Sequence, residues 1–239
     1  MVQRLDSRQL TGRDESHLVA LPDGHQLQAE VAQAFNRLQG DARAAGFDLV
    51  IASGFRSYAR QLAIWNGKVG GQRPVHDDQG RAVDLSELST ADQLRAILRY
   101  SAIPGTSRHH WGTDLDIYDA GAMAEGYQLQ LSPVEVAAGG IFDPLHRWLD
   151  ERMAAGESHG FYRPYGADRG GVAPERWHLS YAPLAVACGR LLNPAILRAC
   201  WAHEEAHEAL RLSPQILAAL PDILSRYVAV PANWCPAPA

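Results

Sequence analysis

Residues 113–119 read TDLDIYD. Leu115 and Ile117 alternate with Asp114, Asp116 and Tyr118, the period of two that sends successive side chains to opposite faces of a strand. The spacing predicts a half-buried strand with carboxylates on its polar side. Two other short segments read as partners for it. FDLVIAS (47–53) is an apolar run with β-branched residues that stops at Gly54, and WHLSY (177–181) alternates. Around these strands the pattern is helical. Leu27, Val31, Phe35 and Leu38 predict a helix over about 25–44, and SYARQLAIW (57–65) continues in the same period. T-x-x-Q at Thr90–Gln93 has the spelling of a capping box ahead of Leu94, Ile97 and Leu98, and SPVE (132–135) has the same spelling with proline at the first helical position. Asp143-Pro144 opens a helix that turns Leu145, Trp148, Leu149 and Met153 inward and ends at Gly156.

Residues 67–88, GKVGGQRPVHDDQGRAVDLSEL, have no period and read as a long surface loop, a length at which loops are often functional. From Pro183 onward the text is helical, with breaks expected at Asn193-Pro194, Ser213-Pro214 and Leu220-Pro221. The expected fold class is therefore α+β: mixed strands and helices over residues 1–182, then a helical C-terminal extension, 183–239.

The whole chain sets outer limits. At 239 residues it buries a proper core, and 46% hydrophobic with 21% charged residues is ordinary for a globular protein. A net charge of −5 and a pI near 6.0 argue against a nucleic-acid partner. No stretch approaches the ~18 apolar residues of a membrane helix, and the N-terminus has no apolar run resembling a signal peptide. The expectation is a cytoplasmic protein, with a periplasmic or cell-wall site of action left open. Cys188, Cys200 and Cys235 are odd in number and lack C-x-x-C spacing, so they suggest buried thiols rather than a disulfide frame or a thiolate metal site.

Two stretches could hold a metal. HEEAH (203–207) matches H-E-x-x-H, which puts His203 and His207 on one side of a helix. A catalytic zinc needs a third protein ligand, and after Glu208 the sequence offers no further His or Glu and only Asp222 as a carboxylate. The stronger set is SRHHWGTDLD (107–116) with ERWH (175–178). His109 precedes the strand, Asp116 sits on its polar face and His178 belongs to another strand. Three N and O ligands from separate elements leave a fourth position for water. His110 is a rival for His109. Glu175 stands three residues before His178, placed to take a proton beside the metal without ligating it.

At these residues the chain resembles the VanY-type D-alanyl-D-alanine carboxypeptidases, within the zinc peptidases that include lysostaphin-like enzymes and the hedgehog signalling domain. Ser107, His109, Gly112 and Asp116 match S-x-H-x-x-G-x-A-x-D, Glu175, Trp177 and His178 match E-x-W-H, and SGFRSYARQ (53–61) matches S-G-[YF]-R-S-x-x-x-Q. The likeness spans about residues 25–182. Asp114 departs from it, standing where the family has a small residue. It either supports a ligand from behind or meets solvent.

The resemblance implies a small, mainly antiparallel sheet flanked by helices, with the helical extension packed on it. At the site it implies Zn²⁺ held by His109, Asp116 and His178, Glu175 as general base, and Arg56 as the cation that stabilises the oxyanion. It also implies that Ser107 and Gln61 donate hydrogen bonds to a substrate carboxylate. The implied substrate is a peptidoglycan stem peptide or its precursor, trimmed of a terminal D-Ala. A dipeptidase on D-Ala-D-Ala, an LD-carboxypeptidase, a stem endopeptidase and a non-catalytic zinc-stabilised binding module are the alternatives.

Overall fold

The computed structural model describes residues 4–202 and 209–231, so His203, His207 and Cys235 lie outside the described residues. A short helix α1 (Ser7–Leu10) is followed by a hairpin of β1 (Leu18–Ala20) and β2 (Gln26–Gln28), and helix α2 (Ala29–Ala44) starts where β2 ends. The helix expected from about residue 25 thus begins four residues later, because Gln26–Gln28 pair with Leu18–Ala20 instead. Then come β3 (Leu49–Ser53), α3 (Tyr58–Val69), α4 (Thr90–Leu98), β4 (Asp114–Asp119), α5 (Pro133–Val136), α6 (Asp143–Ala154), β5 (Phe161–Tyr162) and β6 (His178–Tyr181). Helices α7 (Ala182–Leu191), α8 (Pro194–Trp201) and α9 (Ser213–Ile223) follow. No helix of the described residues is long and apolar enough to cross a membrane.

The main sheet has four antiparallel strands in the order β3-β4-β6-β5. This is the α+β arrangement expected, with one difference. The aspartate face expected at solvent is buried, with Asp114 and Asp116 both covered on a strand that lies centrally between β3 and β6. Leu115, Ile117 and Leu179 face a core shared with Val31, Phe35 and Leu38 of α2 and Leu145 and Leu149 of α6. Each such buried side chain contributes roughly 1.5–3 kcal/mol. The opposite face carries Asp114, Asp116, His178 and Ser180, all buried.

Two start signals resolve differently from their spelling. Helix α4 is capped by Ser89, whose hydroxyl accepts from the Asp92 amide, one residue ahead of the expected Thr90. Pro221 does not break α9, which runs through it into a π-helical turn at Leu224–Val228.

A second core joins α3 and α4 to the C-terminal helices through Leu62, Trp65, Ile97, Trp111, Ala185, Cys188, Leu197 and Trp201. The indole of Trp201 donates to the Pro104 carbonyl at 2.9 Å, and that of Trp65 donates to the Arg211 carbonyl at 3.0 Å. Trp111 closes the 3₁₀ turn 108–111, so the helices after residue 182 back the turn that bears His109.

Candidate active site

Register brings the site together. Asp116 lies opposite His178 on β6 and opposite Ser53 on β3, where a bulge after Ile51 shifts the pairing. Gly112 ends the turn 108–111 at φ 67°, the left-handed region that glycine tolerates. A Cβ there would sit 2.3 Å from the side chain of Leu18, so the glycine is also needed for space. The turn sets His109 above the start of β4, and one ligand atom each from His109, Asp116 and His178 lies within 4.8 Å of the others.

The histidines are oriented from behind. His109 Nδ1 is 2.8 Å from the Gly54 carbonyl, which fixes the proton there and turns Nε2, 3.3 Å from Asp116, into the cluster. His178 Nε2 is 3.0 Å from Asp114, leaving Nδ1 3.3 Å from Asp116. Two imidazole lone pairs therefore converge on one carboxylate, with their second nitrogens bonded to outer partners as in metal centres. Asp116 Oδ1 is buried without a hydrogen-bond partner, and a cation held between the two imidazoles would satisfy it. Two nitrogens and one carboxylate suit a divalent zinc-like ion with an open position.

His110, the rival ligand, is elsewhere. Its Nδ1–H donates to the Arg56 carbonyl at 2.6 Å and its Nε2 accepts from the Gly105 amide at 3.0 Å, so both ring nitrogens tie loops together. Burial holds it neutral, with its pKa pushed down to about 3.

Asp114 does not meet solvent. It is fully buried, accepts from Thr113 and His178, and pairs with Arg108 at 2.7 Å. Arg108 in turn donates to Tyr162 and Ser180. Burial alone would raise both aspartates, but Arg108 and His178 hold the Asp114 carboxyl below the ordinary carboxylate range, and His109 and His178 do the same for Asp116. Burial would lower His178, yet Asp114, Asp116 and Glu175 outweigh it and keep a proton on the ring when no cation is there. Glu175 Oε2 is 3.5 Å from His178 Nδ1. Burial lifts its carboxyl above the usual value, with His178 opposing.

Arg56 is 3.8 Å from Asp116 and donates to Ser53 and to the Gln61 side-chain carbonyl at 3.1 and 3.0 Å. Gln61 differs from its expected place. It is fully buried, its amide donates to the Ala102 carbonyl at 2.6 Å, and it is absent from the cleft wall, so it fixes Arg56 from behind. Ser107 does line the cleft, and its hydroxyl makes no cap bond to the turn it precedes.

The cleft holds about 570 Å³ and includes Arg56, Ser107, His109, Asp116, Glu175 and His178. One wall is Val75–Asp77 with Gln79 and Gly80 from the loop 67–88, and another is Gln130–Val134. Arg99 ties two segments next to the cleft together, bonding Asp78 of that loop and Asp168 of the segment before Glu175, both at 2.6 Å. Among the wall residues that sequence reasoning missed are Lys68, Tyr100, Arg108 and Tyr165. The ring of Tyr165 stands edge-on to His178 at 5.0 Å. Only Lys68 had a readable signal, since it recurs at helical spacing with Gln61 and Trp65.

Comparison with known proteins fits this geometry. The family model described as VanY, D-alanyl-D-alanine carboxypeptidase, matches residues 24–184. A Haemophilus influenzae protein of uncharacterised function is 46% identical over 104 residues, covering 42% of this chain and 71% of its own. An Enterococcus faecalis D-alanyl-D-alanine carboxypeptidase is 27% identical over 173 residues, covering 71% of this chain and 53% of its own. Among solved structures, a vancomycin-resistance D,D-pentapeptidase VanY in complex with Zn(II) is 27% identical, covers 71% of this chain and 80% of its own, and superposes with a TM-score of 0.49.

Proposed function

Since the chain belongs to the VanY family of D-alanyl-D-alanine carboxypeptidases, we propose that it is a zinc-dependent peptidase removing the terminal D-Ala of peptidoglycan stem peptides. The observation that carries this reading is the convergence of His109, Asp116 and His178 on one point, with Glu175 beside it in an enclosed cleft. The orphaned Asp116 oxygen and the two inward lone pairs fit the metal. Zinc held there supplies Lewis acidity, polarising a carbonyl and making water a nucleophile near neutral pH.

The chain's own groups do the rest. Glu175, lifted by burial, takes the proton of the attacking water on a carboxylate oxygen and returns it to the leaving amine. Arg56, held by Ser53, Gln61 and the nearby Asp116, presents a fixed cation to the negative charge that grows on the carbonyl oxygen. Asp114 and the Gly54 carbonyl keep the two imidazoles in the tautomers that ligation requires. Ser107 offers a hydroxyl donor from the cleft wall, and Gln61 serves substrate only through Arg56. Helices α7 and α8 brace the His109 turn, packing Ala185, Cys188, Leu197 and Trp201 in one core with Trp111.

The test is incubation of zinc-loaded protein with a pentapeptide stem, a tetrapeptide stem and D-Ala-D-Ala, with products read by mass spectrometry. Loss of one D-Ala from the pentapeptide is expected, slowed about 10²–10⁴-fold in Glu175→Gln with zinc content retained. A pentapeptide left whole, or a Glu175→Gln variant at full speed, refutes the reading. Cleavage confined to the tetrapeptide, to D-Ala-D-Ala or within the stem assigns the neighbouring activities instead.

A further inference from the structure

Lys68 is the cation in the cleft that the chemistry above leaves unused. It sits in the last turn of α3, on the face that also carries Gln61 and Trp65, and it lines the same cleft as Arg56, Glu175 and the two histidines. Its ammonium is half-buried and donates to the Ser101 hydroxyl at 2.6 Å. Among the described residues no carboxylate lies within ion-pairing distance of it, and two of its three donors have no protein partner. Lysine is seldom withdrawn from water without an anion. Burial pushes its pKa down, while the charge of Glu175 pulls it up from across the cleft.

The two cations of this wall are tied to neighbouring residues. Gln61, which holds Arg56, bonds the carbonyl of Ala102, and Lys68 bonds the hydroxyl of Ser101. Arg56, Lys68, Ser101 and Ala102 all line one cleft, so a peptide that presents a carbonyl to Arg56 meets a second cation on the same wall. Arg56 itself is committed to Ser53, Gln61 and the nearby Asp116, and Gln61 has no free reach into the cleft.

We propose that the Lys68 ammonium, aimed by Ser101, binds the free C-terminal carboxylate of the substrate peptide, one residue beyond the bond presented to Arg56 and the His109–Asp116–His178 cluster. This rests on the peptidase reading for the bond that is cut, but carboxylate capture is a binding property and is measured separately. A charge-assisted hydrogen bond from a half-buried ammonium makes Lys68 a selector of free ends over internal or amidated ones.

The experiment uses the zinc-loaded full chain carrying Glu175→Gln, so that ligands survive. Calorimetry compares an N-acylated L-Lys-D-Ala-D-Ala with the same peptide as a C-terminal amide. The acid is expected to bind about 10–100-fold tighter than the amide, on the scale of one hydrogen bond to a charged group. Adding Lys68→Met abolishes that preference and leaves amide binding within twofold, and Lys68→Arg restores part of it. A purely structural lysine would weaken acid and amide alike, and that result overturns the proposal. So does an acid preference that survives Lys68→Met, or a parent protein that binds no acid. A third ligand replaces L-Lys by a diamino diacid. A Lys68-dependent gain confined to that ligand assigns the ammonium to a side-chain carboxylate and also overturns it. Acid binding that depends on Lys68 in a protein whose wild type cleaves no stem peptide leaves this inference standing and sinks the peptidase reading, while cleavage without Lys68-dependent preference does the reverse.

Discussion

Asp114→Asn removes the charge from a carboxylate that no solvent reaches, while keeping an oxygen at almost the same place. Two effects follow from the bonds Asp114 makes. Its Oδ1 accepts from His178 Nε2 at 3.0 Å, the bond that turns Nδ1 to the metal position. Replacing such an outer partner weakens zinc binding about 10–100-fold. Because asparagine still accepts one hydrogen bond, the expected loss is near tenfold, or about 1.4 kcal/mol. The same atom pairs with Arg108, whose side chain is 3% exposed. Leaving one charge of a buried pair alone costs about 3–5 kcal/mol, and the retained oxygen puts this case near 3. For a chain of this size that lowers Tm by roughly 6–12 °C. Chelator competition gives the first quantity and calorimetric unfolding of the metal-free protein the second. Arg108→Gln separates them: it strips the pair from the other side, so it lowers Tm comparably while the His178–Asp114 bond, and with it zinc affinity, survives. If Asp114→Asn holds zinc within twofold of wild type, Asp114 does not position His178 and the reasoning fails.

Two further outcomes are expected. Arg99→Ala cuts the tie between Asp78 and Asp168, so protease nicking within 70–88, the loop left after α3 ends at Val69, rises and KM increases several-fold with kcat little changed, and an unaltered KM and nicking pattern count against a role for this tie in holding the cleft wall. In acid, His110 and His146 are held neutral by burial, with pKa values of about 3 and about 2, so the unfolded state binds their protons first and stability falls as pH drops below about 6.5. Between pH 6 and 4.5 each removes about 2 kcal/mol. His178, raised instead, contributes stability that is full below about 6.5 and lost only at higher pH, so it is nearly constant in that window. Urea unfolding of metal-free protein should show this slope, reduced by half in His146→Leu. A flat profile refutes it.

The fold was legible where a period ran long enough to outvote local exceptions. Strands 47–53, 113–119 and 177–181 were all readable, because alternation on one face is imposed by the core beneath the sheet. Segments of two or three residues were not. β5 is Phe161–Tyr162 and β1 is Leu18–Ala20, too short for any period, and they exist because a neighbouring strand offers an open edge. Burial of the aspartate face of β4 was hidden for a related reason. Aspartates at alternate positions look like a solvated face unless one knows that β6 and the loops cover them.

Chain order likewise told which residues were present at the site but not how their charges compose. Asp114, Asp116 and Glu175 face Arg56 and Arg108, and the proton that His178 carries in the metal-free protein is the third positive charge against these three carboxylates. Where the family's small residue stands, an aspartate alone would have added an uncompensated buried charge. Arg108, six residues back and on the same turn as His109, supplies the compensation. The two positions therefore act as one unit. Each substituted alone should be worse than the pair replaced together by apolar residues of similar volume, since removing both ends of a buried ion pair is often close to neutral for stability. That double replacement would still cost zinc affinity through the lost His178 bond. The pair is needed less to hold the fold than to let a buried carboxylate stand behind a ligand.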